Sequence, residues 1–473
     1  MFDPIEAHKF FPDYKHSDAP RRWRRGRPDG RRGKRHAPAT EPRIQDRTEE
    51  VAQPQRSDRW FNPLRAPRSE KLREVIATVT ARLARYELKK GWRKRARRPN
   101  DQRVFERTVS AILCDLIFHE LLECSDKAVA FSRSNQLLGK ASRYKPVAIN
   151  KALPTVVDLL ARSQFRYVKA VKGGKAFFEP STSSHMTPGI ALLKLIERHE
   201  LGFEDLGETC DQETVVLKRP KADYWDQGGK IEYEETQVTQ RFRHQMGVIN
   251  RWIAAAAVDV DPVVMNVYGA HDPTELALRR VFTQGRFDSG GRLFGGYWQK
   301  LSKYERKHWI TIDAEQVTAL DFSQMAPRLL YGRIGAAPAL DDAYTLPGYE
   351  QHRDGVKQVF NAMLFSKTPL RKMPKGVGDK FRRGTRIDIV VAAIQRAHEP
   401  IAEHFLSGVG HDLQFMESEL LVDLLLRLKD LGHVALPVHD AVVVKESVAD
   451  CARAVMEELF LQHTGLPGIV TEE

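Results

Sequence analysis

Two stretches in the C-terminal third place apolar and polar side chains with the period of a strand. ITI (310–312) and VTALDF (317–322) read as the arms of a hairpin, and SQMAPRLLYGRI (323–334) then turns helical. VALPVHD (434–440) and AVVVKES (441–447) read as a second hairpin. Asp321 therefore ends a buried strand where a helix begins. Asp440 is expected on a strand, inside an apolar, β-branched run. A carboxylate there is costly unless something pairs with it. By itself, Asp440 reads as a turn residue or as an aspartate bonded to backbone amides. With a second carboxylate on a neighbouring strand it reads as a metal ligand.

Period 3.6 appears in EKLREVIATVTARLARYELKK (70–90), which sets Leu72, Ile76, Val79 and Leu83 on one helical face. FERTVSAILCDLIFHELLEC (105–124) predicts a strong helix. HRDGVKQVFNAMLFS (352–366) predicts another. Lys357 and Phe365 lie about 40° and about 120° around its axis from Arg353, on one broad face. Two cations and an aromatic so placed suit a nucleoside triphosphate. A solvated basic face with a core phenylalanine has the same pattern. Segment 145–180 gives a helix, then FRYVKAV, Gly173-Gly174 and KAFFE. That is the order of a winged helix-turn-helix, or of an ordinary α+β piece packed on the main domain. RRVFTQGRFDSGGRLFGGYWQ (279–299) interleaves glycines with arginines and aromatics, which suits close approach to sugar, phosphate and base.

Composition narrows the classes. The 473 residues are 42% apolar, with no run long enough to cross a membrane, so the expectation is a cytoplasmic protein. The N-terminus has no apolar signal-peptide core. Cysteines 114, 124, 210 and 451 form no CxxC pair and read as reduced thiols. The net charge of +13 is concentrated: residues 1–100 hold 28 Lys/Arg against 13 Asp/Glu, and the rest is close to neutral. RRWRRGRPDGRRGKR (21–35) and GWRKRARRPN (91–100) are the densest parts, and such clusters attract nucleic acid. Residues 1–70, rich in Arg, Pro, Asp and Ser, read as a largely disordered or extended basic tail.

In this order, DFSQMAPRLL (321–330), RDGVKQVFNAMLF (353–365) and PVHDAVVV (437–444) resemble polymerase motifs A, B and C of the family A DNA polymerases. These are bacterial DNA polymerase I and its phage relatives, which share their palm with single-subunit phage-type RNA polymerases. GGRLFGG (290–296) faintly resembles the family element that touches the primer–template duplex. The resemblance spans about residues 280–473. It implies an α+β right-hand polymerase: a palm with an antiparallel sheet, reduced helical fingers, and a helical N-terminal region ahead of them. The domains would be the tail (1–70), a helical region with the winged helix (71–250), and palm and fingers (251–473). Asp321 and Asp440 would hold two Mg²⁺ ions, with Mn²⁺ as a substitute. Arg353 and Lys357 would bind the triphosphate, and Lys357 would protonate the leaving pyrophosphate. Gln324, Ala326, Asn361 and Phe365 would complete the nucleotide pocket. Arg292, Gln414, His439 and Arg328 would serve the nucleic-acid side.

The departures from the family pattern carry information. Ala326 stands where the DNA enzymes have a Glu that blocks the ribose 2′-hydroxyl. Phe365 replaces the Tyr that bonds that Glu. Weak discrimination between dNTPs and rNTPs is therefore expected. Asn361 stands where the family has Phe or Tyr, and Ala441 where motif C usually has Glu. No proofreading domain is expected upstream. The functional expectation is a DNA polymerase on a primer–template. An RNA polymerase or primase-like synthase is the alternative enzyme. A DNA-binding regulator with an inactive palm is the alternative of another class.

Overall fold

The computed structural model describes residues 59–122, 127–174, 183–209, 211–222, 226, 228–260 and 272–472. Most of the tail, Cys124, Cys210 and the KAFFE segment lie outside the described residues. From Asp58 onward the chain forms one unit.

Two short strands, β1 (Arg59–Trp60) and β2 (Arg65–Pro67), lead into α1 (Glu70–Lys89) and α2 (Pro99–Leu121). β3 (Val129–Phe131), α3 (Asn135–Gly139), α4 (Leu153–Leu160), β4 (Val168–Val171), β5 (Ser184–Pro188), α5 (Ile190–Arg198) and β6 (Leu206–Glu208) follow. Next come β7 (Val215–Leu217), α6 (Gln237–Ala255), β8 (Val258–Val260), β9 (Arg279–Phe282), β10 (Gly290–Phe294), α7 (Lys303–Trp309), β11 (Ile310–Ile312) and β12 (Glu315–Phe322). The C-terminal part is α8 (Met325–Ile334), α9 (Arg353–Phe365), α10 (Ile387–Ala397), α11 (Gly410–Asp430), β13 (Ala435–Val438), β14 (Ala441–Lys445), α12 (Ala449–Thr464) and β15 (Val470–Glu472). The fold is mixed, with four sheets among many helices in the described residues.

The N-terminal elements enclose their own apolar cluster. α1 starts at Ser69, whose hydroxyl accepts from the Leu72 amide, and buries the expected stripe Leu72, Ile76, Val79 and Leu83. α2 is buried from Thr108 to His119, so it is the central helix of this cluster. β4 returns antiparallel through β5, and β5 also pairs with β3. The return strand is thus SHMTP (184–188), further along the chain than KAFFE (175–179).

Arg65 joins this cluster to the second half of the chain. Its Nε donates to Asp115 at 2.8 Å, and its guanidinium pairs with Asp272 and donates to Thr274 Oγ1 at 2.6 Å. Asp115 is fully buried and also accepts from Arg59 and the Asn62 amide. Every charge in this buried set has a partner, as its desolvation requires.

The C-terminal elements build the largest core around a six-stranded antiparallel sheet, ordered β13-β14-β12-β11-β8 with β15 also on β12. β14 is buried on both faces, so AVVV reads as a continuous apolar run. β13 lies at the edge, where Pro437 removes no ladder donor the sheet needs.

Candidate active site

The ladder between β12 and β14 sets Asp321 directly opposite Ala441, so Asp321 and Asp440 are neighbours across two strands. The Phe322 amide closes this corner on the Asp440 carbonyl at 3.4 Å. Both aspartates are half-buried. Asp440 is not on a strand, as the apolar run suggested. It is the second residue of a two-residue turn between Val438 and Ala441. The turn requires a left-handed first residue, and His439 takes it at φ 58°. Val438 and Ala441 on either side continue the ladder, which is why the turn is invisible in the hydrophobic pattern.

Two side chains hold this turn from below. The indole of fully buried Trp298 donates to the Pro437 carbonyl at 2.9 Å, and the Gln299 amide donates to the same oxygen at 3.0 Å. Beside them Arg292 is bidentate to Glu417, at 2.6 and 2.7 Å. Burial pushes the Glu417 carboxyl up to about 7; Arg292 opposes this and Asp440 adds to it. Burial and the Arg292 charge bring His439 down to about 4, so its ring is neutral at pH 7. Arg292 therefore stands beside Asp440 with its guanidinium engaged, not presented to a duplex. Gln414 lies one turn before Glu417 on α11, half-buried.

Helix α9 turns a polar stripe outward. Arg353 and Lys357 are exposed, Asn361 is half-buried, and Phe365 ends the helix at 38% exposure, edge-on to His411. Tyr344 connects this stripe to the aspartates. Its ring is buried, with the Arg353 guanidinium 5.6 Å and Lys357 Nζ 5.8 Å from its centroid. Burial, and then the charge of Asp440, raise its phenol above the ordinary range. Asp342, two residues earlier, holds Arg353 in an ion pair and accepts from the Tyr344 amide at 3.1 Å.

Gln324 sets this loop. It occupies the left-handed N-cap of α8, accepts from the Ala343 amide at 2.8 Å, and donates to the Asp341 carbonyl at 3.1 Å. Its amide is committed to backbone rather than open for a nucleotide. Arg328 is buried and donates to the Pro467 carbonyl at 3.0 Å, where burial lowers its pKa. It braces the C-terminal strand. Ala326 is half-buried against the core, and Ala441 is buried.

The structure thus brings together Asp321, Asp440 and His439. Tyr344 links the charge of Asp440 to Arg353 and Lys357 on α9, with Asn361 one turn further along that helix. Asp342 and Tyr344 do not stand out in the sequence, and Glu417 is not singled out by the motifs. PALDDAYTLPG (338–348) has no period to read. Glu417 does leave a signal: it is the one charge in the otherwise apolar stripe Leu413, Glu417, Leu420, Leu424.

The donors suit a hard cation. The negative field at Asp440 raises both Tyr344 and Glu417. Among the described residues no three His, Cys, Asp or Glu side chains form a metal cage. A cation between Asp321 and Asp440 would complete its shell with water and phosphate oxygens, as Mg²⁺ prefers. Among the described residues no helix is long and apolar enough to cross a membrane.

Comparison with known proteins gives no matching family model and no matching curated protein. Among solved structures, the POL domain of Pol1 from M. smegmatis, in complex with DNA primer-template and dNTP, is weakly similar. The identity is 11% and the TM-score 0.29, over 50% of this chain and 51% of that one. The match spans about half the length of either chain.

Proposed function

We propose that this chain is a template-directed nucleotidyltransferase with an α+β right-hand architecture, its palm built on β8 and β11–β15 and its reduced fingers on α9. The observation that carries the reading is the register that sets Asp321 beside the Asp440 turn, facing the Arg353–Lys357 stripe across Tyr344. Two carboxylates opposite two cations suit a metal-bound triphosphate. Bound at Asp321 and Asp440, Mg²⁺ would lower the pKa of a 3′-hydroxyl and neutralise charge on the leaving pyrophosphate.

The protein's own groups do the rest. Arg353 and Lys357 bind and orient the triphosphate. Lys357 Nζ is placed to give a proton to the departing pyrophosphate. Tyr344 holds these cations over the site and excludes water beneath them. Trp298 and Gln299 fix the turn, so Asp440 needs little reorganisation. DNA synthesis is the first form of this activity. The small Ala326 and the hydroxyl-free Phe365 favour acceptance of rNTPs as well, the property of an RNA polymerase or primase-like synthase.

Primer extension and de novo synthesis, each with separate dNTP and rNTP pools, test the reading. Asp321→Asn and Asp440→Asn are each expected to abolish incorporation while leaving nucleic-acid binding intact. Synthesis that survives either change removes the mechanism. Binding by the wild type with no synthesis under any pool favours a regulator.

A further inference from the structure

The order α2–β3–α3–α4–β4–β5, with β5 between β3 and β4, is the arrangement of a winged helix. Such a unit ordinarily meets nucleic acid through its second short helix. Here that helix is α4, LPTVVDLL, which has no cation, and its one carboxylate is paired with Arg133. The loop before it is tied down as well, since Arg143 pairs with Glu232 and Glu235. The charge lies elsewhere, in the elbow between α1 and α2. Residues 89–98, KKGWRKRARR, hold seven Lys/Arg and no Asp or Glu.

The elbow has a defined shape. Gly91 closes α1 at φ 70°, and the Trp92 amide donates back to the Glu87 carbonyl at 3.0 Å. The Trp92 ring stands edge-on to Tyr86 and beneath the Arg162 guanidinium, 4.0 Å from its centroid. The carboxylate of Glu87 faces inward and takes Arg97 and Arg93. Arg97 also covers Phe105. That leaves Lys89, Lys90, Lys94, Arg95 and Arg98 exposed, and among the described residues no carboxylate forms an ion pair with any of them. The next acid along the chain, Asp101, sits in the first turn of α2, where the helix dipole favours it. Exposed Arg162 widens the patch.

From this we infer that the α1–α2 elbow is a nucleic-acid backbone site, separate from the Asp321–Asp440 region and independent of α4. Five cations fixed within ten residues repel one another, and a run of phosphates removes that repulsion while releasing counterions. A phosphate backbone fits better than an anionic lipid surface. Membrane adsorption of a short basic patch needs apolar side chains free to insert. The exposed apolar side chains beside these cations are Leu88 and Trp92, and the Trp92 ring is held by Tyr86 and Arg162. Its cations act through phosphate charge, so its affinity is expected to be largely insensitive to sequence. It holds whether or not the chain polymerises nucleotides.

Fluorescence anisotropy of a labelled oligodeoxythymidine tests this on the full chain, without metal or nucleotide. Lys94→Gln/Arg95→Gln/Arg98→Gln is expected to weaken binding by about tenfold or more at physiological salt. It should also flatten log K against log salt by about 2, or roughly 0.7 per lost phosphate contact. Lys89→Gln/Lys90→Gln is the independent second variant, with a smaller effect of the same kind. Lys194→Gln/Arg198→Gln/Lys221→Gln removes the same net charge from exposed positions elsewhere and should change little. An equal loss in that control reduces the effect to net charge and overturns the proposal. So does a triple variant that keeps full DNA affinity but loses binding to phosphatidylserine vesicles.

Discussion

Arg292 lies against Glu417 in a bidentate pair beside Asp440, with Glu417 almost wholly buried. Removing Arg292 leaves Glu417 buried without its cation, so that it must stand uncompensated or take up a proton. Arg292→Ala is expected to lower unfolding free energy by about 3–5 kcal/mol. Arg292→Met with Glu417→Leu should recover most of it, since an apolar pair of similar volume avoids desolvation. Urea unfolding of the singles and the double, read as a cycle, checks this. Additive losses would mean that the pair is not coupled.

Under the proposed function, Asp342 would compete with phosphate for Arg353. In the structure it pairs with that guanidinium, and a triphosphate has to displace it. Asp342→Asn keeps the hydrogen bonds to Tyr344 and Thr345 approachable while removing the charge. The expected result is a KM for nucleotide several-fold lower, with kcat little changed. Steady-state incorporation kinetics separate the two constants. A fall in kcat with unchanged KM would assign Asp342 to positioning instead.

Under the proposed function, sugar choice would depend on Ala326. With a methyl group at that place, discrimination of dNTP over rNTP is expected to stay below about 10³-fold, or ~4 kcal/mol. Single-nucleotide incorporation measures the ratio directly. Ala326→Glu is expected to raise it.

Glu208 sets a pH dependence of stability away from the site. It is half-buried, accepts from the Ala277 amide at 3.1 Å, and is raised from 4.5 to about 7, by desolvation first and Glu275 second. The folded state therefore keeps a proton that the unfolded chain has lost. That contribution is complete below about pH 4.5 and disappears as pH rises through about 7. Its upper bound is roughly 3 kcal/mol, from 1.36 kcal/mol per pKa unit. Glu208→Gln should flatten the stability curve over this window. A curve of unchanged slope would remove Glu208 as its cause.

Much of the framework is readable because local pattern and tertiary environment agree. The β12 alternation, the α1 stripe and the α9 register all place their side chains where periodicity puts them. Two kinds of feature escape that reading. Asp440 looks like a strand residue because a two-residue turn leaves the apolar flanks unbroken. The return strand β5 is hidden because SHMTP has a polar pattern, and its pairing with β3 is decided far along the chain. Gln324 and Arg328 look available to ligand by their motif positions, yet both are engaged by backbone carbonyls that only the folded chain brings near. Glu417 matters through Arg292, and Tyr344 through Asp440, at long sequence separation, whereas Asp342 meets Arg353 from a nearby loop that has no period to read.

The Arg65 cluster has a consequence for how this protein can be taken apart. Its guanidinium has Asp115 on one side and Asp272 on the other, and Phe118 lies 3.2 Å beneath it. A cut near residue 250 would strand Asp272 without its cation and leave the buried Arg65 with Asp115 as its one carboxylate, shared with Arg59. The two halves are thus not interchangeable modules that could be shuffled onto other partners. A fragment beginning at 251 should be insoluble when made alone and recover when the N-terminal fragment is co-expressed. The start of the C-terminal core near residue 251 is therefore not a boundary at which the molecule can be inherited in pieces.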